Sequence, residues 1–239
     1  MPAVVWLALL AAAIACGGVL RDGTTFDVSI SERLERARTA GWNAVTHVVS
    51  LSASTLVVVG IAAAVVAVSL LRHRRDGVAV FAFAMIGEVV MFLTITAIVD
   101  RPRPDVERLD PAPPTSSFPS GHTYAAFVLW TGIAVLAHRQ RWAPHLRRLA
   151  MVLAIVLPLA VGASRIYRGM HHPTDVIASL ILGLLWVGAL VMITARPAAT
   201  DVGTEPRELL MIAPRAAPTS AQRSDGSRQL AELPATSTE

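Results

Sequence analysis

Six stretches of this chain run almost free of charge: Val4–Leu20, Thr55–Leu71, Val78–Val99, Thr123–Ala137, Leu149–Ala163 and Val176–Thr194. Only Glu88 interrupts them with an acidic or basic residue of the Asp, Glu, Lys, Arg and His set. A bilayer core about 30 Å thick takes ~20 apolar residues per helix, and ~17 at the lower limit. Thr123–Ala137 and Leu149–Ala163 fall short of that limit by less than a turn at these boundaries. In lipid the backbone must satisfy its own N–H and C=O groups, so such continuous apolar blocks are helices. The overall hydrophobic share of 54% would not decide the matter, since soluble domains also approach half apolar residues. The arrangement in blocks does. It predicts an all-α fold, a six-helix transmembrane bundle.

The remaining segments divide the chain. Residues 1–20 form the first span, expected to be retained because no basic region precedes its apolar run as in a signal peptide. Residues 21–54 form a polar loop in which Ile30, Leu34, Ala37, Ala40 and Ala44 recur at helical spacing among Glu32, Arg33, Glu35 and Arg36. That pattern predicts an amphipathic helix at the membrane interface or packed on the bundle. Residues 55–194 hold the other five spans. Residues 195–239, rich in Pro, Ala, Thr, Ser and Arg without periodicity, are expected to be a disordered tail.

All 21 basic residues are arginines, and the net charge is +4. They cluster beside the apolar blocks, which points to orientation rather than to nucleic acid. Arg72, Arg74 and Arg75 follow the second span, and Arg139, Arg141, Arg147 and Arg148 follow the fourth. The positive-inside rule makes that side cytoplasmic, tail included, and puts Asp100–His122 and Ser164–Asp175 together on the extracytoplasmic face of the cell membrane. Cys16 is the single cysteine, so an intrachain disulfide and a cysteine metal cluster are both excluded.

Three polar clusters fall on that outer face: Asp100-Arg101-Pro102-Arg103-Pro104, Phe118-Pro119-Ser120-Gly121-His122, and Ser164-Arg165 with His171 and Asp175 following. Arginine forks at 103 and 165 suit phosphate oxygens. Ser120 and Gly121 open a helix, whose free amides and dipole add anion affinity. Pro173 suits a first helical turn. From that turn Asp175 can reach a ring nitrogen of His171 and fix its tautomer. Two histidines beside an anion site allow one to attack phosphorus and the other to protonate the leaving oxygen. His171, His172 and Asp175 are also metal-ligand types, but Arg165 and Arg168 beside them oppose a cation. No metal is expected.

These clusters resemble the signature of the type 2 phosphatidic acid phosphatase superfamily of membrane lipid phosphatases, which includes bacterial members. That signature is Lys, six residues, Arg-Pro; then Pro-Ser-Gly-His; then Ser-Arg, five residues, His, three residues, Asp. Arg103-Pro104, Pro119-Ser120-Gly121-His122 and Ser164-Arg165, His171 and Asp175 match it in order and spacing. The resemblance covers about Thr55 to Thr194. It implies His171 as nucleophile through a phosphohistidine, Asp175 as its orienting group, and His122 as general acid and then base. Arg103, Ser120, Gly121 and Arg165 would hold the phosphate, with no metal or other cofactor.

The implied substrate is a lipid phosphate or diphosphate of the undecaprenyl diphosphate or phosphatidate type. A phosphotransferase of the same superfamily, or a non-hydrolytic lipid-phosphate binder or transporter, is the alternative. One position departs from the signature: Thr96 stands where the family has Lys. Arg101 and Arg168 are the candidate replacement cations. Glu88 lies thirteen residues before Arg101, ~20 Å along a helix, and is expected to hydrogen-bond within the bundle.

Overall fold

The computed structural model describes residues 1–195. Eight helices account for its regular structure, and no strand occurs among the described residues: α1 Pro2–Val19, α2 Thr25–Arg36, α3 Ala40–Leu51, α4 Thr55–Leu71, α5 Val78–Ile98, α6 Gly121–Arg139, α7 Pro144–Tyr167 and α8 Pro173–Ile193. Each of the six expected spans coincides with a helix (α1 and α4 to α8). The expected tail lies outside the described residues from position 196 onward.

Four helices, α1, α5, α7 and α8, are long and apolar enough to cross a membrane. A fifth crossing results if α3 and α4, bent by 45° at a short break, are taken as one span. α6 falls outside this set, and its surroundings explain why. It packs against α4, α5, α7 and α8 and buries Thr123, Tyr124, Ala126, Val128, Leu129, Gly132, Ile133, Leu136 and Ala137. A helix covered by protein on most sides need not be uniformly apolar. Its neighbours turn large apolar residues outward, among them Leu56, Ile86, Leu93, Ile155 and Leu184. That is the exterior a lipid solvent requires.

Indole groups tie the bundle together. Trp186 of α8 is fully buried and donates from Nε1 to the Ala84 carbonyl at 3.0 Å. A Cβ at Gly87 would stand 2.4 Å from the Trp186 ring, so only glycine lets α5 approach α8 this closely. On α1, Trp6 Nε1 donates to the Gly87 carbonyl at 3.1 Å.

The single amphipathic helix expected between residues 21 and 54 is instead two helices with the opposite pattern. Thr24 caps α2 in a reciprocal box with Asp27, and Thr39 caps α3 by accepting from the Trp42 amide. A second cap ends one helix and starts another. The buried faces carry Asp27 and Ser31 on α2 and Thr46 and Ser50 on α3, while Phe26, Val28, Trp42, Val45, Val48 and Leu51 are exposed. The reason lies in what these helices cover. They pack on α7 and α8, where the polar clusters sit, so a polar seam faces inward.

Candidate active site

The turn between α7 and α8 presents His171. Gly169 adopts a left-handed φ of 70°, and its neighbour Met170 donates its amide back to the Arg165 carbonyl at 3.0 Å. This glycine-based stop is a common way to satisfy the last carbonyls of a helix. A Cβ at Gly169 would also lie 2.7 Å from the Glu107 carbonyl oxygen, so the two loops touch backbone to backbone. His172 and Pro173 then open α8.

His171 is buried, with Nδ1 2.7 Å from the Ser117 carbonyl. A carbonyl only accepts, so Nδ1 carries the proton and Nε2 keeps its lone pair. Asp175 lies farther from the ring than expected, with Oδ2 3.8 Å from Nδ1. Its oxygens are taken by other donors. Oδ2 accepts from Ser117 Oγ at 2.6 Å and from the His172 amide at 2.8 Å, and Oδ1 accepts from Arg101. The Ser117 backbone therefore holds the tautomer directly, and Asp175 supplies negative charge from the next layer. Burial pulls the His171 pKa down against the opposing pull of Asp175, leaving it below the ordinary 6.5.

Arg101 is not among the residues that line the site's cleft. It is buried, with its guanidinium between two carboxylates: Asp175, and Asp27 at 2.9 Å. Thr174 joins the group through its amide, 3.0 Å from Asp27 Oδ1, and through Oγ1, which accepts from Arg101 at 2.9 Å. Arg168 is likewise committed elsewhere. Its Nε and Nη2 grip Asp110 as a fork at 2.8 and 2.6 Å. Its remaining N–H groups reach the Asn43 carbonyl, Thr46 Oγ1 and the Leu109 carbonyl. Arg168 has no donor to spare for a ligand, and Arg101, of whose donors Nε is buried without a partner, is not among the residues that line the cleft beside His171. Each is neutralised where it lies.

Arg103 and Arg165, by contrast, line that cleft. Arg165 Nη1 donates to Ser50 Oγ at 2.6 Å and to Asp110 Oδ2 at 2.9 Å, and Arg103 Nη1 donates to the Met170 carbonyl at 2.6 Å. In both, Nε is buried without a partner. Buried orphan donors are rare and costly. Here both belong to residues lining one cleft. Asp110 anchors Arg165, and the Arg168 fork followed by the nearby cations holds its carboxyl below the ordinary range despite burial.

That cleft has a volume of about 1030 Å³. Its polar end takes in Arg103, Gly121, His122, Arg165 and His171. The Gly121, His122 and Thr123 amides, in the first turn of α6, have no intrahelical acceptor. Gly121 is required there, because a Cβ would stand 2.7 Å from the Phe92 ring. His122 makes no hydrogen bond to protein among the described residues, so its ring is available to a ligand. Ser120 is set differently from the expectation. It is fully buried, its amide donates to Ser179 Oγ at 2.8 Å, and its hydroxyl pairs with Thr123 Oγ1 at 2.9 Å. It seats the start of α6 and does not line the cleft. From its polar end the cleft descends between α4 and α5, past Val58, Ala62 and Val66 on one wall and Val89, Met85 and Phe81 on the other.

The sequence reading missed Ser117, Asp110 and Asp27. Ser117 directly precedes Phe118-Pro119-Ser120-Gly121-His122, where a polar residue beside the motif was the available signal. Asp110 sits in a loop without periodicity. Asp27 lies seventy-four positions from Arg101, and only its capping pattern with Thr24 marked it. Among the described residues no group of three or more His, Cys, Asp or Glu side chains could hold a metal ion.

A buried imidazole with a free Nε2, a second histidine and two arginines with orphan donors make a site for phosphoryl chemistry at the end of an all-helical, membrane-type bundle. The family model of the PAP2 superfamily matches residues 77–198. The chain belongs to that superfamily. Phosphatidylglycerophosphatase B of Bacillus subtilis (strain 168) is 36% identical over 89 residues, which cover 36% of this chain and 43% of that protein. An undecaprenyl-diphosphatase of Sulfolobus acidocaldarius is 36% identical over 83 residues, 34% of this chain and 35% of that protein. A decaprenylphosphoryl-5-phosphoribose phosphatase of Mycobacterium tuberculosis (strain ATCC 25618 / H37Rv) is 33% identical over 128 residues, 52% of this chain and 64% of that protein. The chain thus spans less than two thirds of the length of each of these relatives. Among solved structures, a transmembrane PAP2-type phosphatidylglycerolphosphate phosphatase from Bacillus subtilis superposes with a TM-score of 0.67 at 22% identity, covering 80% of this chain and 94% of that one. That likeness is one of fold.

Proposed function

We propose that this chain is a membrane-embedded phosphatase that hydrolyses a lipid phosphate or diphosphate through a phosphohistidine intermediate. One observation carries the reading. His171 is held by Ser117 with Nε2 unprotonated, in a cleft whose arginines keep unpartnered donors and whose floor continues as an apolar groove. The polar end fits a phosphate and the groove fits an acyl or prenyl chain.

His171 Nε2 attacks phosphorus while the bond to the leaving oxygen breaks, and His122 gives that oxygen its proton. His122, now neutral, takes a proton from water, whose oxygen attacks the phosphohistidine. The N–P bond breaks and inorganic phosphate leaves. Arg103, Arg165 and the first-turn amides of α6 stabilise the charge spread over the phosphoryl oxygens. Asp175 stabilises the imidazole ring as it gains positive charge. His171, His122 and Asp175 are the catalytic set, and Gly121 contributes backbone. Ser120 acts by fixing the helix start.

We assign six spans, with α3 and α4 together forming the second, and place the site outside the cytoplasm. The Arg-rich segments at Arg72–Arg75 and Arg139–Arg148 support this orientation. Purified protein should release inorganic phosphate from a panel of lipid phosphates and diphosphates. A brief incubation with labelled substrate should leave acid-labile label on the wild type and none on His171→Ala. Ligand binding without phosphate release would favour a non-hydrolytic binder, and label passing to an added alcohol rather than to water would favour a phosphotransferase.

A further inference from the structure

Glu88 is almost wholly buried in α5, yet its carboxyl makes no hydrogen bond or ion pair among the described residues. The hydrogen bond within the bundle expected from the sequence is absent. Its position explains where the carboxyl is directed. The preceding residue, Gly87, faces α8 against the Trp186 ring, and the next position along a helix turns about 100° away. That turn brings Glu88 to the lining of the cleft.

Glu88 also lies closer to the phosphate end than a count from Arg101 implies. The Phe92 ring packs against Gly121 at the start of α6. Glu88 is four residues earlier on the same helix face, ~6 Å along the axis. It is therefore one turn below the phosphate-holding amides, at the level of the alcohol portion of a bound ester. On the facing wall the chain descends from Ser50, which holds Arg165, to Ser54 and Thr55, which also line the cleft. Ser54 is the N-cap residue of α4 but its side chain makes no capping bond. Thr55 Oγ1 has no partner among the described residues. Below this level both walls turn apolar.

We infer that Glu88, with Ser54 and Thr55, forms a subsite for a free hydroxyl group on the alcohol moiety next to the scissile phosphate. This rests on the phosphatase reading above and narrows it. The favoured substrate is a phosphate monoester of a hydroxylated headgroup, such as a glycerol or sugar unit carrying the lipid chain. A hydroxyl can donate to the Glu88 carboxyl and accept from Ser54 or Thr55. A second phosphate at this level would instead meet a carboxyl and neutral hydroxyls, with no arginine of the cleft left for it, since Arg103 and Arg165 stand at the phosphate end. A site built to bond a hydroxyl discriminates against analogues that lack it, because its own buried groups then go unpaired.

The test uses two matched lipids, oleoyl glycerol phosphate with its free hydroxyl and oleoyl propanediol phosphate without it, in mixed micelles with the full chain. Wild type should prefer the first by about tenfold in kcat/KM, the cost of leaving the buried groups that bond the hydroxyl without a partner. Glu88→Leu should bring that ratio close to one, Glu88→Gln should keep part of it, and Ser54→Ala should lower it. The same ratio is measured as binding, by ligand-induced thermal shift of His171→Ala with and without Glu88→Leu, so it does not depend on turnover. Phosphate release with equal preference in wild type and Glu88→Leu overturns the subsite and leaves the phosphatase reading standing. Absence of release from both lipids, with a binding preference that Glu88→Leu abolishes, overturns the phosphatase reading and keeps the subsite. Equal binding of the two lipids overturns the subsite.

Discussion

Asp27→Ala should destabilise this protein by about 3 kcal/mol, although the residue lies outside the segment matched by the family model. Asp27 is fully buried and accepts from Arg101 Nη2 at 2.9 Å and the Thr174 amide at 3.0 Å. It also caps α2 with Thr24. Losing a charge-assisted hydrogen bond costs about 1.5–3 kcal/mol, and losing the cap about 1 kcal/mol. The full 3–5 kcal/mol of a broken buried pair should not appear, because Arg101 keeps Asp175.

Equilibrium unfolding in mixed micelles, titrated with sodium dodecyl sulfate and followed by tryptophan fluorescence, gives the number. Asp27→Ala, Arg101→Met and the double variant form a cycle whose coupling should be about 1.5–3 kcal/mol. The pH dependence follows from sign. Burial raises the Asp27 pKa, but donors from Thr174 and Thr24 and the Arg101 charge outweigh it, so the net shift is downward from 3.8. The carboxylate's contribution is therefore complete above that value and is lost as pH falls through the lowered one. Additive single effects, within about 0.5 kcal/mol, would refute the claim that Asp27 acts through Arg101.

Further outcomes are expected. His171→Ala should abolish turnover, while His122→Ala should keep measurable activity on substrates with good leaving groups that need little protonation; equal loss on good and poor leaving groups would count against the division of roles. The depressed pKa of His171 leaves its ring neutral at neutral pH, so the acid limb of kcat/KM should have its midpoint below pH 6.5, and a midpoint above that value would contradict a buried neutral nucleophile. In a Cys16→Ser background, an impermeant maleimide applied to intact cells should label Ala112→Cys but not His145→Cys, and the reverse pattern would invert the orientation. Thr96→Lys should raise kcat/KM by about tenfold, chiefly by lowering KM, because position 96 is one turn beyond Phe92 on the α5 face that meets Gly121; unchanged kinetics would show that the site has no use for a third cation.

The bundle was legible in the sequence because lipid imposes a coarse rule, that long uncharged stretches become helices, and each block obeyed it. The reading failed between residues 21 and 54, where the rule reverses. There the exposed residues of α2 and α3 are the apolar ones and the inward face is polar. A periodicity analysis that assigns apolar residues to the interior assumes water outside. The same difference separates the motif residues from their supports. His122, His171, Arg103 and Arg165 occur in compact patterns, whereas Asp110, Ser117 and Asp27 are found only through distances between remote segments. Glu88 was visible as an ionisable residue in a span, but counting along α5 from Arg101 did not reveal that it lines the cleft, one turn from Phe92 and its contact with Gly121.

If the site binds a phosphate as proposed, the supporting residues set how its charge is managed. Four arginines converge on it, and two carboxylates from outside the motif select which of them remain receptive. Asp27 and Asp175 together hold Arg101 in ion pairs, and Asp110 chelates Arg168 while taking only one N–H of Arg165. Nε is without a partner in Arg101, Arg103 and Arg165, and of these only Arg103 and Arg165 line the cleft. On the proposed reading Arg168 acts on the phosphate only through Asp110, by fixing the carboxylate that bonds Arg165. A lysine could not replace it, since a point charge lacks the planar fork that grips both Asp110 oxygens. The family lysine and Arg168 are thus unlike in kind, and the vacancy in charge that Thr96 leaves on α5 is not filled from the α7 turn.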